Sequence, residues 1–287
     1  MLIHIPFVFV VKPQENMQTF VISLEREQQR RAHINRQFSH ENISFEFFNA
    51  ITPQSIDQTK ALLGLGTIST TLHNNEVACL LSHATLWKKA IDENLDFIAI
   101  FEDDIHLGQN ARYFLQDTDW IPDVCEIIKL EKFYKKIGIS LGNKQYSLID
   151  HRKLLALVTV HMGGGGYILS QKAARQLLEM LKNNKQLIPV DHLIFREYLK
   201  LHRQCIYQMS PALCVQDMIL KKGKTIFPSA LEEVRNERKG ENFSKKKLSF
   251  MMKIKRELSR MGTQVYKVVQ ESLQLLKGIK IQRISFK

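Results

Sequence analysis

The chain has 287 residues, 44% of them hydrophobic, enough for one large α/β domain or two small ones with an ample core. Its formal net charge of +12 is carried unevenly: residues 235–287 hold 15 of the 41 Lys and Arg but only 4 of the 29 Asp and Glu, which leaves 26 basic and 25 acidic residues in 1–234. So nearly neutral a body argues against a basic groove running across the domain, and no nucleic-acid partner is expected; a basic tail instead suits an anionic surface.

In chain order, the first eleven residues (MLIHIPFVFVV) are apolar but fall short of the ~20 needed to cross a bilayer, so they are not read as a membrane span. Residues 1–16 read as an N-terminal extension, with Met17 standing just before a patterned strand as an alternative start. Gln18 to Leu24 is that strand; Glu25 to Phe38, with Ala32, Ile34 and Phe38 at near-helical spacing, is a helix, and Ser44 to Phe48 is a second strand. This βαβ-like opening favours a parallel sheet with helices on its faces, whose ligands sit beyond the strand carboxyl ends.

Asn74 and Asn75 are the expected caps of a helix over Glu76 to Glu93, whose apolar face is Val77, Leu80, Leu81, Ala84, Trp87 and Ile91. Phe97 to Phe101 is an unbroken apolar run of the kind buried on both faces of a parallel sheet, so Glu102, Asp103 and Asp104 fall at its carboxyl end. Further strands are expected at Cys125 to Leu130, ending at Glu131, and at Leu154 to His161, before the glycine run Gly163 to Gly166. Gln171 to Lys182 is a helix, and another begins after Asp191 or His192. The compact domain is placed at 17–230. Residues 231–287 form a tail in which Met251, Ile254, Leu258, Met261, Val265 and Val269 recur at helical intervals between lysines and arginines, the pattern of a basic amphipathic helix lying on an anionic membrane. The four cysteines show no CxxC pair, so neither a zinc site nor a disulfide framework is expected, and a reducing cytosol is the simplest home.

Three consecutive acids after a buried strand repel one another unless a cation balances them. Mg²⁺ or Mn²⁺ takes oxygen ligands, one or two carboxylates together with substrate phosphates, which suits a nucleotide diphosphate. An acidic triplet alone is more often a solvated strand end; the buried strand before it and the helix carrying Ser82-His83 favour a metal site. Ser23-Leu24 and Arg26 place a hydroxyl and a guanidinium at the first strand's end, where Arg reads phosphate geometry, whereas Arg30 and Arg31 read as the solvated face of the helix. Gly165, Gly166 and Tyr167 could bring backbone close to sugar or phosphate, a plain flexible turn being the alternative. A general base must stand apart from the metal, and Asp191 and Glu131 are the two candidates.

Several separated stretches, FVISLEREQQRRAHI, ISFEFFNAI, EVACLLSHATLWKKAIDENLDFIAIFEDDIHLG, GGGGYILSQKAARQLL, IPVDHLIF and SPALCVQD, resemble glycosyltransferase family 25, in particular the bacterial lipooligosaccharide galactosyltransferases, and run in family order from about residue 19 to 217. The resemblance implies a GT-A-like α/β fold, a mostly parallel sheet flanked by helices. It implies a UDP-sugar donor, with UDP-galactose first, Mn²⁺ or Mg²⁺, and transfer with inversion to a growing lipooligosaccharide acceptor. The unpaired cysteines and the basic tail are the grounds for expecting the enzyme in the cytoplasm, peripheral on the cytoplasmic face of the inner membrane. The family's acidic motif maps onto Glu102, Asp103 and Asp104, its donor region onto Ser23 and Arg26, and its PVD segment onto Asp191, the first choice as base. The donor side is thus expected to comprise Ser23, Leu24, Arg26, Ser82, His83, Gly165, Gly166 and Tyr167. A metal-dependent phosphohydrolase is the rival enzyme class, and a non-enzymatic basic nucleic-acid binder the rival outside enzymes.

Overall fold

Strand Phe97–Glu102 is the reference for the architecture, because its side chains alternate between two apolar layers. Ile98 and Ile100 enter one layer with Leu80, Trp87 and Leu177; Ala99 and Phe101 enter the other with Ile34, Phe38 and Phe114. A strand apolar at every position can only be satisfied between two such layers. The computed structural model describes residues 17–66, 68–222 and 272–287.

In chain order the elements are β1 (Met17–Ser23), α1 (Gln28–His40), β2 (Glu46–Asn49), α2 (Ile56–Leu62), β3 (Ser69–Thr70), α3 (Asn74–Asp92), β4 (Phe97–Glu102), β5 (Ile105–Leu107), α4 (Arg112–Leu115), β6 (Ile127–Lys129), β7 (Lys136–Ser140), β8 (Tyr146–Ser147) and β9 (Lys153–Ala156). They continue with β10 (Gly166–Ser170), α5 (Gln171–Asn183), β11 (Gln186–Leu187), α6 (Val190–His192), a π-helical stretch (Leu193–Tyr198), α7 (Leu199–Leu201), β12 (Ile206–Ser210), β13 (Cys214–Gln216), α8 (Asp217–Leu220) and β14 (Ile279–Arg283). Eight strands form one sheet in the order β2-β1-β4-β10-β6-β12-β9-β8. β2, β1, β4, β6, β12 and β8 run one way, and β10 and β9 run against them. Helices α3 and α5 pack together on one face, and α1 and α4 cover the other. This is the mostly parallel, helix-flanked α/β sheet expected of a GT-A-like fold.

The carboxyl ends of β1, β4 and β6 therefore open on one edge, and the antiparallel β10 starts at that same edge, since Gly166 pairs with Phe101. Four elements deliver Ser23, Glu102, Lys129 and Gly166 to a common rim.

The details differ from the sequence expectations at several points. Helix α3 is capped by His73 rather than Asn74 or Asn75: His73 Nδ1 accepts from Asn75 N at 3.3 Å, and Glu76 Oε2 accepts from His73 N at 3.0 Å. This is a capping box with imidazole in the hydroxyl's place, and the two asparagines fall just inside the helix. The strand expected over Leu154 to His161 ends at Ala156, because the chain must loop back to feed Gly163 to Gly166 into β10. Nor are the last residues part of a separate helical tail. β14 pairs antiparallel with β7, Ile284 is buried, and Lys287 O accepts from Gln109 N at 3.2 Å and Arg152 Nη2 at 2.9 Å. Buried Arg152 holds this corner by also donating to the carbonyls of Gln109, Pro211 and Ala212. The amphipathic pattern at Met251 to Val269 and the extension 1–16 lie outside the described residues. Among the described residues no helix is long and apolar enough to cross a membrane.

Candidate functional site

The acidic triplet divides its labour. Asp103 is turned toward β1 and α1, where Ser23 Oγ donates to Oδ2 at 2.7 Å and Arg30 Nη1 donates to Oδ1 at 2.6 Å. Its two oxygens each accept one bond, and Asp103 thereby acts as a strut that ties β1 and α1 to the end of β4. Burial alone would lower the pKa of the Arg30 guanidinium, but Asp103 in contact and Asp104 nearby hold it above its ordinary value. The solvated-face reading of Arg30 is thus corrected. Arg31 is also engaged, donating to Ser23 O at 3.0 Å and to Asn49 Oδ1. Arg26, the favoured phosphate reader, stands outside the cluster, 74% exposed with Nε 3.8 Å from Glu27. The signal that separates these arginines is helical phase: Arg30 follows Arg26 by four residues, but α1 begins only at Gln28, so the two do not share a helix face.

Asp104 is different. The residue is half-buried overall, and its Oδ1 is buried with no hydrogen-bond partner. Burial, followed by the charges of Glu102, Asp103 and Glu131, pushes its pKa well above the usual carboxylate range, with Arg30 acting against them. A hard oxygen donor in repulsive acidic company is what a divalent cation relieves. Glu102 stands beside it, with Oε2 accepting from Gln216 Nε2 at 2.7 Å and Oε1 3.7 Å from His83 Nε2. Asp104 and Glu102 are the residues that would hold Mn²⁺ or Mg²⁺.

The glycine run forms the opposite wall, and it is clamped rather than flexible. Gly163 N donates to Asp191 Oδ2 at 3.1 Å, Gly165 N donates to Glu131 Oε2 at 3.0 Å, and Lys129 Nζ donates to Gly163 O. Gly163 has a φ of +87°, and a Cβ there would lie 2.5 Å from Glu131 Oε2 and from Phe133 Cδ2. At Gly166 a Cβ would strike Cys214 Sγ, and at Gly165 it would stand 3.0 Å from Gln216 Cγ. Gly164 alone has ordinary room, 3.6 Å from Val190 Cγ1 and 3.9 Å from Glu102 Oε1. Close packing, more than backbone freedom, fixes glycine at three of the four places.

The two base candidates separate by access. Glu131 is fully buried and 3.2 Å from the equally buried Lys129, whose ammonium also lies 4.2 Å from the Phe195 ring centroid. Burial raises the Glu131 pKa, Lys129 opposes the rise and Glu102 adds to it. Glu131 braces the glycine run from behind. Asp191 is half-buried at the start of α6, and its Oδ1 accepts from His192 N at 2.9 Å while Oδ2 holds Gly163.

The remaining expected donor residues are also placed. Ser82 is fully buried, donating to Ala78 O at 2.8 Å and accepting from Ile51 N at 2.9 Å, so it ties the loop after β2 to α3. Leu24 is half-buried and lends its carbonyl to the turn before α1, accepting from Glu27 N at 3.0 Å. His83 and Tyr167 are buried partners, with Nδ1 and the phenol oxygen 2.8 Å apart. Sequence reasoning missed Lys129, Gln216 and Asp217. Asp217 N donates to Asp104 O at 2.8 Å, and its carboxylate holds His106 Nε2 at 2.7 Å. Gln216 and Asp217 end the stretch SPALCVQD, whose sequence carries no local signal of their roles.

A sequence model of glycosyltransferase family 25 (LPS biosynthesis protein) matches residues 16–194, which include β1, the acidic triplet, the glycine run and Asp191. The chain belongs to glycosyltransferase family 25. Two relatives align with it over most of its length. It is 33% identical over 253 residues to the lipooligosaccharide biosynthesis protein lex-1 of Haemophilus influenzae, covering 77% of this chain and 83% of that one. To the lacto-N-neotetraose biosynthesis glycosyltransferase LgtE of Neisseria meningitidis serogroup B it is 33% identical over 282 residues, covering 94% and 100%. Among solved structures, one similar chain is a glycosyltransferase involved in glycosylation of the major capsid of PBCV-1, with a TM-score of 0.41, 6% identity, and 78% and 98% of the two chains covered. This family 25 member is therefore a glycosyltransferase of lipopolysaccharide or lipooligosaccharide biosynthesis.

Proposed function

We propose that the chain transfers a hexose, galactose first, from a UDP-sugar to a growing lipooligosaccharide acceptor, with inversion and a β linkage, using Mn²⁺ or Mg²⁺. The observation that carries the proposal is Asp104: a carboxylate with a buried, unpartnered oxygen, surrounded by Glu102, Asp103 and Glu131 at the rim where β1, β4 and β10 meet. Galactose, inversion and the β linkage follow from the resemblance to the lipooligosaccharide galactosyltransferases. A divalent cation bound there would neutralise charge on the departing diphosphate.

The chain's own residues do the rest. Asp103, anchored by Ser23 and Arg30, fixes the end of β4 so that Asp104 keeps its place. The clamped glycine run presents a wall without side chains. Asp191, the more accessible of the two acids that hold this run, takes the proton from the acceptor hydroxyl, while buried Glu131 keeps the run in position. The test is calorimetric titration of UDP-galactose with and without Mn²⁺. Binding that requires the cation, and that Asp104→Ala abolishes while the variant melts as the wild type does, is the expected result. Equal binding by Asp104→Ala overturns the site.

A further inference from the structure

His83 is fully buried in the middle of α3, yet its Nε2 has no hydrogen-bond partner. Cys79 Sγ, His83 Nε2 or Nδ1, and a Glu102 oxygen lie within 4.8 Å of one another, a set that could in principle hold a soft cation. The hydrogen bonds behind His83 decide between that role and another. Trp87 Nε1 lies 3.0 Å from the Tyr167 hydroxyl, and an indole N–H can only donate, so the phenol oxygen accepts there. The phenol proton must then go elsewhere. His83 Nδ1 lies within hydrogen-bond reach at 2.8 Å and is a stronger acceptor than the sulfur of nearby Cys79. With Nδ1 accepting, a neutral imidazole carries its proton on Nε2. Nε2 faces Glu102 Oε1 at 3.7 Å, a few tenths of an ångström beyond a hydrogen bond, and Gln216 Nε2 grips the other oxygen of the same carboxylate at 2.7 Å. A metal at Nε2 would need that nitrogen bare, which would reverse the Tyr167 bond and strand the phenol proton.

We infer that Trp87, Tyr167 and His83 form a one-way hydrogen-bond relay that fixes His83 as the Nε2–H tautomer, making it a positioning residue that holds Glu102 beside Asp104 and not a metal ligand. The relay links the first layer of the core to the acidic rim: Trp87 and Tyr167 are both fully buried there, and Tyr167 follows directly on the glycine run. Gln216, at the end of β13, grips one oxygen of the Glu102 carboxylate, and the Nε2 proton of His83 on α3 faces the other at 3.7 Å as an electrostatic contact. The inference rests on the proposed donor site only where activity is read; the tautomer is read without any substrate, so a failure of the relay and a failure of the glycosyl-transfer reading are distinguishable.

The experiment is long-range ¹H–¹⁵N correlation on the full-length protein labelled at histidine nitrogens, with His83 assigned by the signal lost in His83→Gln. A protonated Nε2 and a bare Nδ1 are expected, and a proton on Nδ1 overturns the relay. Activity supplies the second arm. A glutamine amide reaches the place of Nε2 and can donate there, so His83→Gln should keep the donor KM near that of the wild type. His83→Ala and His83→Asn, which leave that place without a donor, should raise it by roughly tenfold. Equal KM values for all three variants overturn the positioning role. The third arm is titration with Co²⁺: a thiolate-to-cobalt absorption band that Cys79→Ser removes would establish the soft-metal site and overturn the inference, and its absence supports the relay.

Discussion

Replacing Gly163 by alanine separates a clamped glycine run from a flexible turn. The added Cβ would meet Glu131 Oε2 and Phe133 Cδ2 at 2.5 Å each and Glu131 Oε1 at 2.8 Å, at a backbone φ of +87°. The left-handed conformation costs an L-residue roughly 1–2 kcal/mol, and forcing extra volume into a packed site adds typically ~1–3 kcal/mol. Glu131 has little freedom to yield, because Lys129 and the Gly165 amide hold it and it is fully buried. A loss of about 2–5 kcal/mol follows, which for a domain of this size lowers the melting temperature by roughly 2–4 °C per kcal/mol. Gly164→Ala is the internal control, since its Cβ meets only ordinary contacts at 3.6 and 3.9 Å, and its melting temperature should stay near that of the wild type. Thermal and urea denaturation of both variants measure the difference. A Gly163→Ala protein that melts with the wild type would refute the clamp.

Three further outcomes follow from the same geometry. Arg30→Ala leaves the buried Asp103 carboxylate with Ser23 as its remaining side-chain donor and should destabilise by about 1–3 kcal/mol in urea denaturation, whereas exposed Arg26→Ala should change stability by less than about 0.5 kcal/mol. Burial, reinforced by the Lys129 charge, depresses the His161 pKa from 6.5 to about 3, so the unfolded chain takes up a proton there before the folded one does. Its contribution is complete above pH 6.5 and falls away toward pH 3, at up to ~1.4 kcal/mol per pH unit, and His161→Gln should lose stability less steeply over that window. Replacing Lys253, Lys255, Arg256, Arg260 and Lys267 by glutamine should weaken sedimentation with anionic vesicles, each basic residue contributing on the order of 1 kcal/mol. Truncation at residue 235 is the wrong tool for that question, because it also removes β14 and Ile284 from the body.

Period and burial made much of the fold legible. The apolar run at Phe97 to Phe101 announced a strand covered on both faces, and the helix around Trp87 and the β1-α1-β2 opening were readable from spacing alone. β14 was not, because Ile279–Arg283 is too short a stretch of apolar and polar residues to stand out from a tail whose pattern is helical, and only its partner β7 decides. At the site, the triplet was visible as chemistry but not as a division of labour. Which carboxylate turns to the helix and which to the rim depends on Arg30 and Ser23 meeting Asp103 across strands, a long-range fact without a local signal. Lys129 escaped notice because a lysine inside an apolar run reads as an interruption, whereas here Glu131, the Gly163 carbonyl and the Phe195 ring surround it.

Mass spectrometry of the products formed from a panel of UDP-sugars with truncated lipooligosaccharide acceptors and Mn²⁺ addresses the central claim most directly. The expected result is an acceptor heavier by one hexose, formed from UDP-galactose in preference to the other donors and missing when Asp104→Ala replaces the wild type. Free phosphate as the main product, or transfer undiminished in Asp104→Ala, would contradict the account.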